Sequence, residues 1–336
     1  MTPGRSRRAG PRAAPRAQRG KDAASYSGAR TPRAPDYAQR LPRRHYPDGL
    51  LAGLAAGAFL VALALGAPAC SRRSAPPSPA PAPASLAARV VSLAPNLTEI
   101  AFAVGAGERL VGVSDFSDYP PAALAIPRVG GVDVSAERIA SLHPDLVLAS
   151  GDGGSIRGAA SALASSGVPV LAVSTTSLDE VLAAIRVVGA RLGRAEAADE
   201  LARRLDARRR AVAAKTAGAR RPRAILLVWP DPPQAAGGRT FLDDVLSRAG
   251  ADNLVGGRPG WPVLSSEWLA TAPIEVVVVP DSPGNRPVFD RSFSTGPLSR
   301  GRVKAARIVR VDESVLTRPG PRVFDALESL AADLPR

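Results

Sequence analysis

The sequence predicts an α/β protein of two related lobes with mainly parallel sheets, joined by a long rigid helix and facing each other across a ligand cleft. Three observations carry that expectation. A helix-forming stretch at 178–217 divides the chain. On both sides of it, short β-branched runs alternate with helical segments, the pattern of parallel sheets covered on both faces. The order of signals on one side then recurs on the other.

Residues 1–49 form a basic leader rich in Arg, Pro and Ala, without apolar periodicity, and read as disordered. The chain carries a net charge of +14, but residues 1–73 hold 14 Arg and Lys against three Asp. The remainder is close to neutral, which removes the electrostatic warrant for a nucleic-acid partner. Residues 50–70 are an apolar run ending in Ala67-Pro68-Ala69-Cys70. Three readings fit it: a cleaved secretory signal, a lipoprotein signal with Cys70 lipidated, or a retained membrane anchor. The sole cysteine of the chain stands at the cut position, which favours the lipoprotein, although Ala67 and Pro68 depart from the usual residues there. Residues 71–88 are a Pro-rich tether of extended type. Each reading of the run places the folded part outside the cytoplasm, close to a bilayer.

The N-terminal lobe, 89–176, opens with the apolar strand Arg89-Val90-Val91-Ser92-Leu93-Ala94-Pro95, followed by a helix from Asn96. Further strands are expected at 110–113, 145–149 and 168–173, with helices after Ser135 and from the Gly-rich loop at 151–154 to about Ser165. The helical spine occupies 177–219. It starts with a serine cap at Ser177 followed by Glu180, breaks near Gly193, and resumes at Ala195 with i,i+4 pairs Asp199/Arg203, Glu200/Arg204 and Asp206/Arg210. A rigid connection of this kind implies little lobe motion. The C-terminal lobe, 220–336, repeats the pattern. Residues 223–230 match the first strand, 250–256 match 106–112, and Ser265-Ser266-Glu267 matches Ser135-Ala136-Glu137. An acid opens the next strand ten positions past the serine in both lobes, Asp145 and Glu275. The lobes are therefore Rossmann-like.

Open parallel sheets bind ligands beyond the carboxyl ends of their strands. The residues placed there are Phe116, Tyr119, Val132, Asp133 and the loop from Ser150 in the first lobe, and Trp229, Asp231, Trp261 and Arg318 in the second. For the tryptophans a core role competes with a cleft role, and Tyr119 beside Pro120-Pro121 also suits turn packing. Glu137 and Glu267 occupy one repeat-matched place each. An acid in a first helical turn complements the macrodipole, yet two separated carboxylates on related lobes also suit docking onto a two-fold symmetric partner. His143 is the only histidine outside the leader, so no metal site is expected. No nucleophile elbow or phosphate loop is present, so an enzyme is not expected.

Val91-Ser92-Leu93-Ala94-Pro95-Asn96-Leu97-Thr98-Glu99, the stretch Ser117-Asp118-Tyr119-Pro120 and His143-Pro144-Asp145-Leu146-Val147 carry a resemblance. Over about 89–336 the chain resembles the helical-backbone (class III) substrate-binding proteins of ABC importers, which carry cobalamin, ferric siderophores or haem, and is most similar to the cobalamin-binding branch. The resemblance implies a periplasmic or cell-surface lipoprotein, a monomer without a cofactor of its own, that hands cobalamin or another metal chelate to an importer. It implies that Glu137 and Glu267 dock arginines of the permease dimer, and that Phe116, Trp261 and Arg318 lie in the ligand cleft. The branch places tryptophans near Val132 and at Ser150, and this chain has neither. A ferric-siderophore or haem binder of the same fold is the alternative ligand reading. A membrane-anchored sensor or scaffold and a secreted enzyme are alternatives of another class.

Overall fold

The computed structural model describes residues 86–131, 133–151, 163 and 167–334, all within one compact unit, Pro76–Arg336. The expectations for Cys70, the apolar run, Val132 and the loop at 152–154 lie outside the described residues.

The first sheet contains β1 (Val90–Ser92), β2 (Leu110–Val113), β3 (Leu146–Ser150) and β4 (Val170–Val173), in the order β2-β1-β3-β4. Every pairing is parallel. The second contains β5 (Arg223–Pro230), β6 (Pro233–Ala235), β7 (Asp252–Asn253), β8 (Val276–Asp281) and β9 (Arg307–Asp312). Its order is β6-β5-β8-β9, with β7 also on β5, and only β6 runs antiparallel. Near-continuous Val, Ile and Leu runs such as Leu146–Ser150 and Val276–Asp281 suit strands covered on both faces.

The helices are α1 (Pro95–Ala103), α2 (Ala136–Ser141), α3 (Leu178–Arg191), α4 (Ala195–Thr216), α5 (Phe241–Arg248), α6 (Ser266–Thr271), α7 (Arg286–Ser294), α8 (Gly301–Ala305), α9 (Glu313–Leu316) and α10 (Val323–Asp333). The repeat seen in the sequence has a physical counterpart. The Asp145 carboxylate accepts from the backbone N–H of Ala88 at 2.8 Å and of Arg89 at 3.0 Å. Glu275 accepts from the N–H of Arg223 at 2.7 Å. Each acid clasps the start of its lobe's first strand.

The spine breaks at Gly193, which adopts φ +63°, and there the chain reverses. α3 and α4 form an antiparallel hairpin rather than a single strut. A Cβ on Gly189 would lie 2.2 Å from the Ala198 Cβ, so glycine sets how closely the two legs approach. Asp199 accordingly pairs with Arg186 across the hairpin at 3.0 Å rather than with Arg203. Glu200–Arg204 and Asp206–Arg210 form as the spacing predicts. Ser177 caps α3 by accepting from the Glu180 N–H, while the Glu180 carboxylate reaches back to the Thr176 N–H at 2.7 Å.

The turn of the hairpin rests on the first lobe, where Arg194 donates to Gly105 O and pairs with Glu108. Its open end meets the second lobe. The Leu178 N–H donates to Asp244 at 2.8 Å, and Arg208 of α4 pairs with Asp325 and Glu328 of α10. One apolar cluster runs from Val90 and Leu97 through Leu182, Ile185, Leu201 and Leu205 to Leu226, Leu246 and Leu327. The outer faces of the two sheets have separate clusters, around Ile139 and Val147 in one lobe and Ile225 and Phe289 in the other.

Candidate functional site

The floor of the site begins with buried hydroxyls. Thr98 on α1 hydrogen-bonds Ser92 and Ser117, both at 2.9 Å, and Ser117 hydrogen-bonds Ser114 at 2.9 Å. All four residues are buried. This network ties the loop after β2 to α1, and so positions Asp118 and Tyr119 at the carboxyl end of the first sheet. Asn96 on α1 donates to Ser150 Oγ and to Pro319 O, each at 3.2 Å, and Ser150 bonds Thr175 at 3.0 Å. Asn96 thus joins the end of β3 to the loop between α9 and α10 in the second lobe. Gly320 allows that approach, because a Cβ there would lie 3.3 Å from Asn96.

Two arginines from the second lobe reach across. Arg322 makes paired bonds to Glu99, Nη2–Oε1 at 2.6 Å and Nε–Oε2 at 3.0 Å. Arg318 makes paired bonds to Asp118 and stands 3.7 Å from Glu99. The Glu99 side chain is 2% exposed, whereas that of Asp118 is 56% exposed. One ion pair therefore has a buried carboxylate and the other a carboxylate open to solvent. Two guanidinium groups face two carboxylates, so the floor is locally charge-balanced. The hydrogen bond from Arg318 holds the Asp118 carboxyl below its usual range, and the partner carboxylates raise both arginines above theirs.

Two exposed aromatics stand in the loop after β2. Phe116 and Tyr119 are 52% and 43% exposed, and the Arg322 guanidinium lies 3.9 Å from the Tyr119 ring centroid. In the loop that begins at Gly130 and Gly131, a Cβ on Gly131 would be 3.1 Å from the Phe116 ring, and the Asp115 N–H bonds Gly130 O. Asp133 is an exposed member of that loop. In the second lobe, β6 turns back from β5 and pairs Gln234 with Trp229. A further bridge pairs Gln234 with Val263. Pleat alternation sets Trp229, Gln234 and Val263 on one face. Trp261, whose carbonyl accepts from the Gln234 side-chain amide at 3.2 Å, is 43% exposed. The Trp229 indole is half-buried and donates to Asp231 O at 2.8 Å.

Sequence reasoning missed Glu99, Arg322 and Asp118 as partners, because each pair joins residues about 200 or more positions apart. The signal for Glu99 was a charge inside the apolar helix 95–103. His143, at φ +47° in the turn before β3, lies at the amino end of the sheet, away from the cleft. Among the described residues no group of three or more His, Cys, Asp or Glu is arranged to hold a metal ion.

Glu137 and Glu267 are exposed in the first turns of α2 and α6, capped by Ser135 and Ser265. Neither carboxylate has an ion-pair partner among the described residues. The Ser135 N–H bonds Val129 O, Val129 bonds the end of β2 at Val113, and the Leu264 N–H bonds Pro233 O. Both acids therefore stand near the carboxyl ends of their sheets.

Comparison with known proteins agrees with this architecture. The chain is 31% identical over 252 residues, 73% of its length and 79% of the relative's, to the uncharacterized ABC transporter substrate-binding lipoprotein YvrC of Bacillus subtilis (strain 168). The periplasmic vitamin B12 binding protein BtuF of Vibrio cholerae superposes with a TM-score of 0.66 at 27% identity, covering 74% of this chain and 97% of that one. The periplasmic haem-binding protein RhuT of Roseiflexus sp. RS-1, in apo form, does so with 0.63 at 30% identity, covering 73% and 96%. The family described as periplasmic binding protein matches residues 90–312, and this chain, with its two mainly parallel sheets, belongs to that family.

Proposed function

We propose that this chain is the substrate-binding component of an ABC importer, and that its cargo is a metal chelate, cobalamin or a related corrinoid. The observation that carries the reading is the charge-balanced pairing across the lobes, Glu99–Arg322 and Asp118–Arg318, with the exposed Tyr119 ring against Arg322 and Phe116 exposed in the same loop. A corrin ring presents apolar faces and a rim of amides, chemistry suited to exposed aromatics and to paired charges respectively. The relatives' substrate-binding and vitamin B12-binding descriptions support the same class. The cleft is a place of capture, with no bond-making step assigned to it. The folded part works outside the cytoplasm, held near the membrane by a lipid on Cys70. Mass spectrometry of the mature N-terminus tests that anchor, and an unmodified Cys70 removes it.

Titration of the purified chain with cyanocobalamin, cobinamide, haem and ferric siderophores tests the main reading. Binding of a corrinoid is expected, and binding of none of the four refutes it. A haem reading is favoured by one observation: Tyr119, the only tyrosine outside the leader, exposes its phenol at the cleft beneath Arg322, where it can serve as an axial ligand. A tyrosinate-type haem spectrum lost in Tyr119→Phe would select that cargo. Glu137 and Glu267 are the docking residues for the permease dimer, and their unpaired, exposed carboxylates support that role.

A further inference from the structure

The two inter-lobe ion pairs differ in a way that bears on the chemistry of the cargo. In the Glu99–Arg322 pair the carboxylate is buried at 2% exposure and the guanidinium keeps 18%. The Arg318–Asp118 pair is its outward continuation, with Asp118 more than half exposed and Arg318 mostly covered. Whatever enters the cleft therefore meets Arg318 with its bidentate acceptor, the Asp118 carboxylate, already in place. A ligand carboxylate aimed at Arg318 has to expel Asp118 and then lie next to the expelled anion. A primary amide does not. Its carbonyl oxygen accepts from a guanidinium N–H while its own N–H donates to the Asp118 carboxylate, so it satisfies both members of the pair without separating them.

We propose that Asp118 is a specificity-determining residue that selects macrocyclic chelates with a neutral, amide-type periphery over the same macrocycles with carboxylate peripheries. The inference rests on reading the cleft as a chelate site and names which chelates it admits. Asp118 acts as an internal competitor: it occupies the position on Arg318 that an acidic ligand group needs, and its charge repels a second anion. One exposed pair of this kind is worth about a factor of five in relative affinity. Sequence resemblance alone does not supply this, since it concerns which charge the arginine already holds.

The test compares ligands on one macrocycle whose peripheral groups are primary amides or acids: cobyrinic acid heptaamide against cobyrinic acid, and the haem bis-propionamide against haem. Dissociation constants are measured for the wild-type chain, for Asp118→Asn, which keeps the shape and removes the charge, and for Asp118→Ser, which also removes the acceptor pair. The expected result is a preference for the neutral member in the wild type. The ratio of acid-form to neutral-form affinity should rise about fivefold in both variants. An unchanged ratio in both variants, or a ratio that moves toward the neutral form, overturns the assignment. Failure of all four ligands to bind either wild type or variants overturns the chelate reading itself, and this inference with it.

Discussion

Replacing Glu99 with Gln removes the charge at the centre of the inter-lobe contact while keeping the side-chain volume. The carboxylate is 2% exposed and receives Arg322 through bonds of 2.6 and 3.0 Å, with Arg318 at 3.7 Å. Removing one partner of a buried pair costs about 3–5 kcal/mol. The two guanidiniums keep 16% and 18% side-chain exposure, and the water that reaches them lowers the figure to about 2–3 kcal/mol. At about 2–4 °C per kcal/mol for a fold of this size, the melting temperature should fall by about 5–10 °C. Calorimetry reads the shift. A double-mutant cycle with Arg322→Gln separates the pair from the fold: a coupling of about 1.5 kcal/mol or more is expected for residues in direct contact. A melting temperature within about 2 °C of wild type, or single-mutant effects that simply add, would refute the view that this pair holds the lobes together.

Other tests follow from the same geometry. Gly189→Ala should destabilise the chain by about 1–3 kcal/mol in chemical denaturation, because the new methyl meets Ala198 across the hairpin; no loss would mean that the helices part without cost. Trp261→Ala should weaken chelate binding about tenfold, as expected for removal of one stacking aromatic, with a melting temperature close to wild type because the side chain is 43% exposed. Glu275, held at a pKa of about 2 chiefly by the Arg223 N–H, has a folded value below its unfolded value of about 4.3. Its contribution is present above the unfolded value and is lost as pH falls toward about 2. In melts from pH 5 to pH 2, Glu275→Gln should flatten the acid limb; an identical profile would exclude it as a contributor. Glu137→Ala combined with Glu267→Ala should abolish uptake in cells while leaving the titration curve unchanged, and normal uptake would exclude docking through these acids.

The parts of the fold that depend on neighbouring residues were legible in the sequence. Val90–Ser92 and Val276–Asp281 announce themselves as buried strands because several adjacent β-branched side chains need covering on both faces. The serine caps at 135, 177 and 265 are local hydrogen bonds and stand where the sequence puts them. The repeat singled out Asp145 and Glu275, but not their task, since the strand start that each one clasps lies more than fifty positions upstream. Gly193 marked a break in the spine without giving the direction of the next helix. A glycine permits reversal, and the Gly189–Ala198 contact and the cross-leg pair Arg186–Asp199 select it. The i,i+4 rule likewise assigned Asp199 to its own helix because it carries no knowledge of a second one. The floor of the cleft was the least legible part. An acid on an apolar helix face and an arginine before a C-terminal helix become partners only once both sheets are built.

The hairpin has a consequence for how this molecule denatures. Its legs contribute to a single apolar cluster that draws on β1 and α1 at one end and on β5, α5 and α10 at the other. Neither sheet can lose its helical backing without exposing apolar area that belongs to the other. The lobes should therefore behave as one calorimetric unit, with a van't Hoff enthalpy matching the measured enthalpy of the whole folded part. Amide exchange through the core strands of both lobes should then proceed by one shared global opening. A lobe produced alone would carry a bare apolar flank in place of its helical cover, which makes the bilobal form the smallest stable piece of this chain.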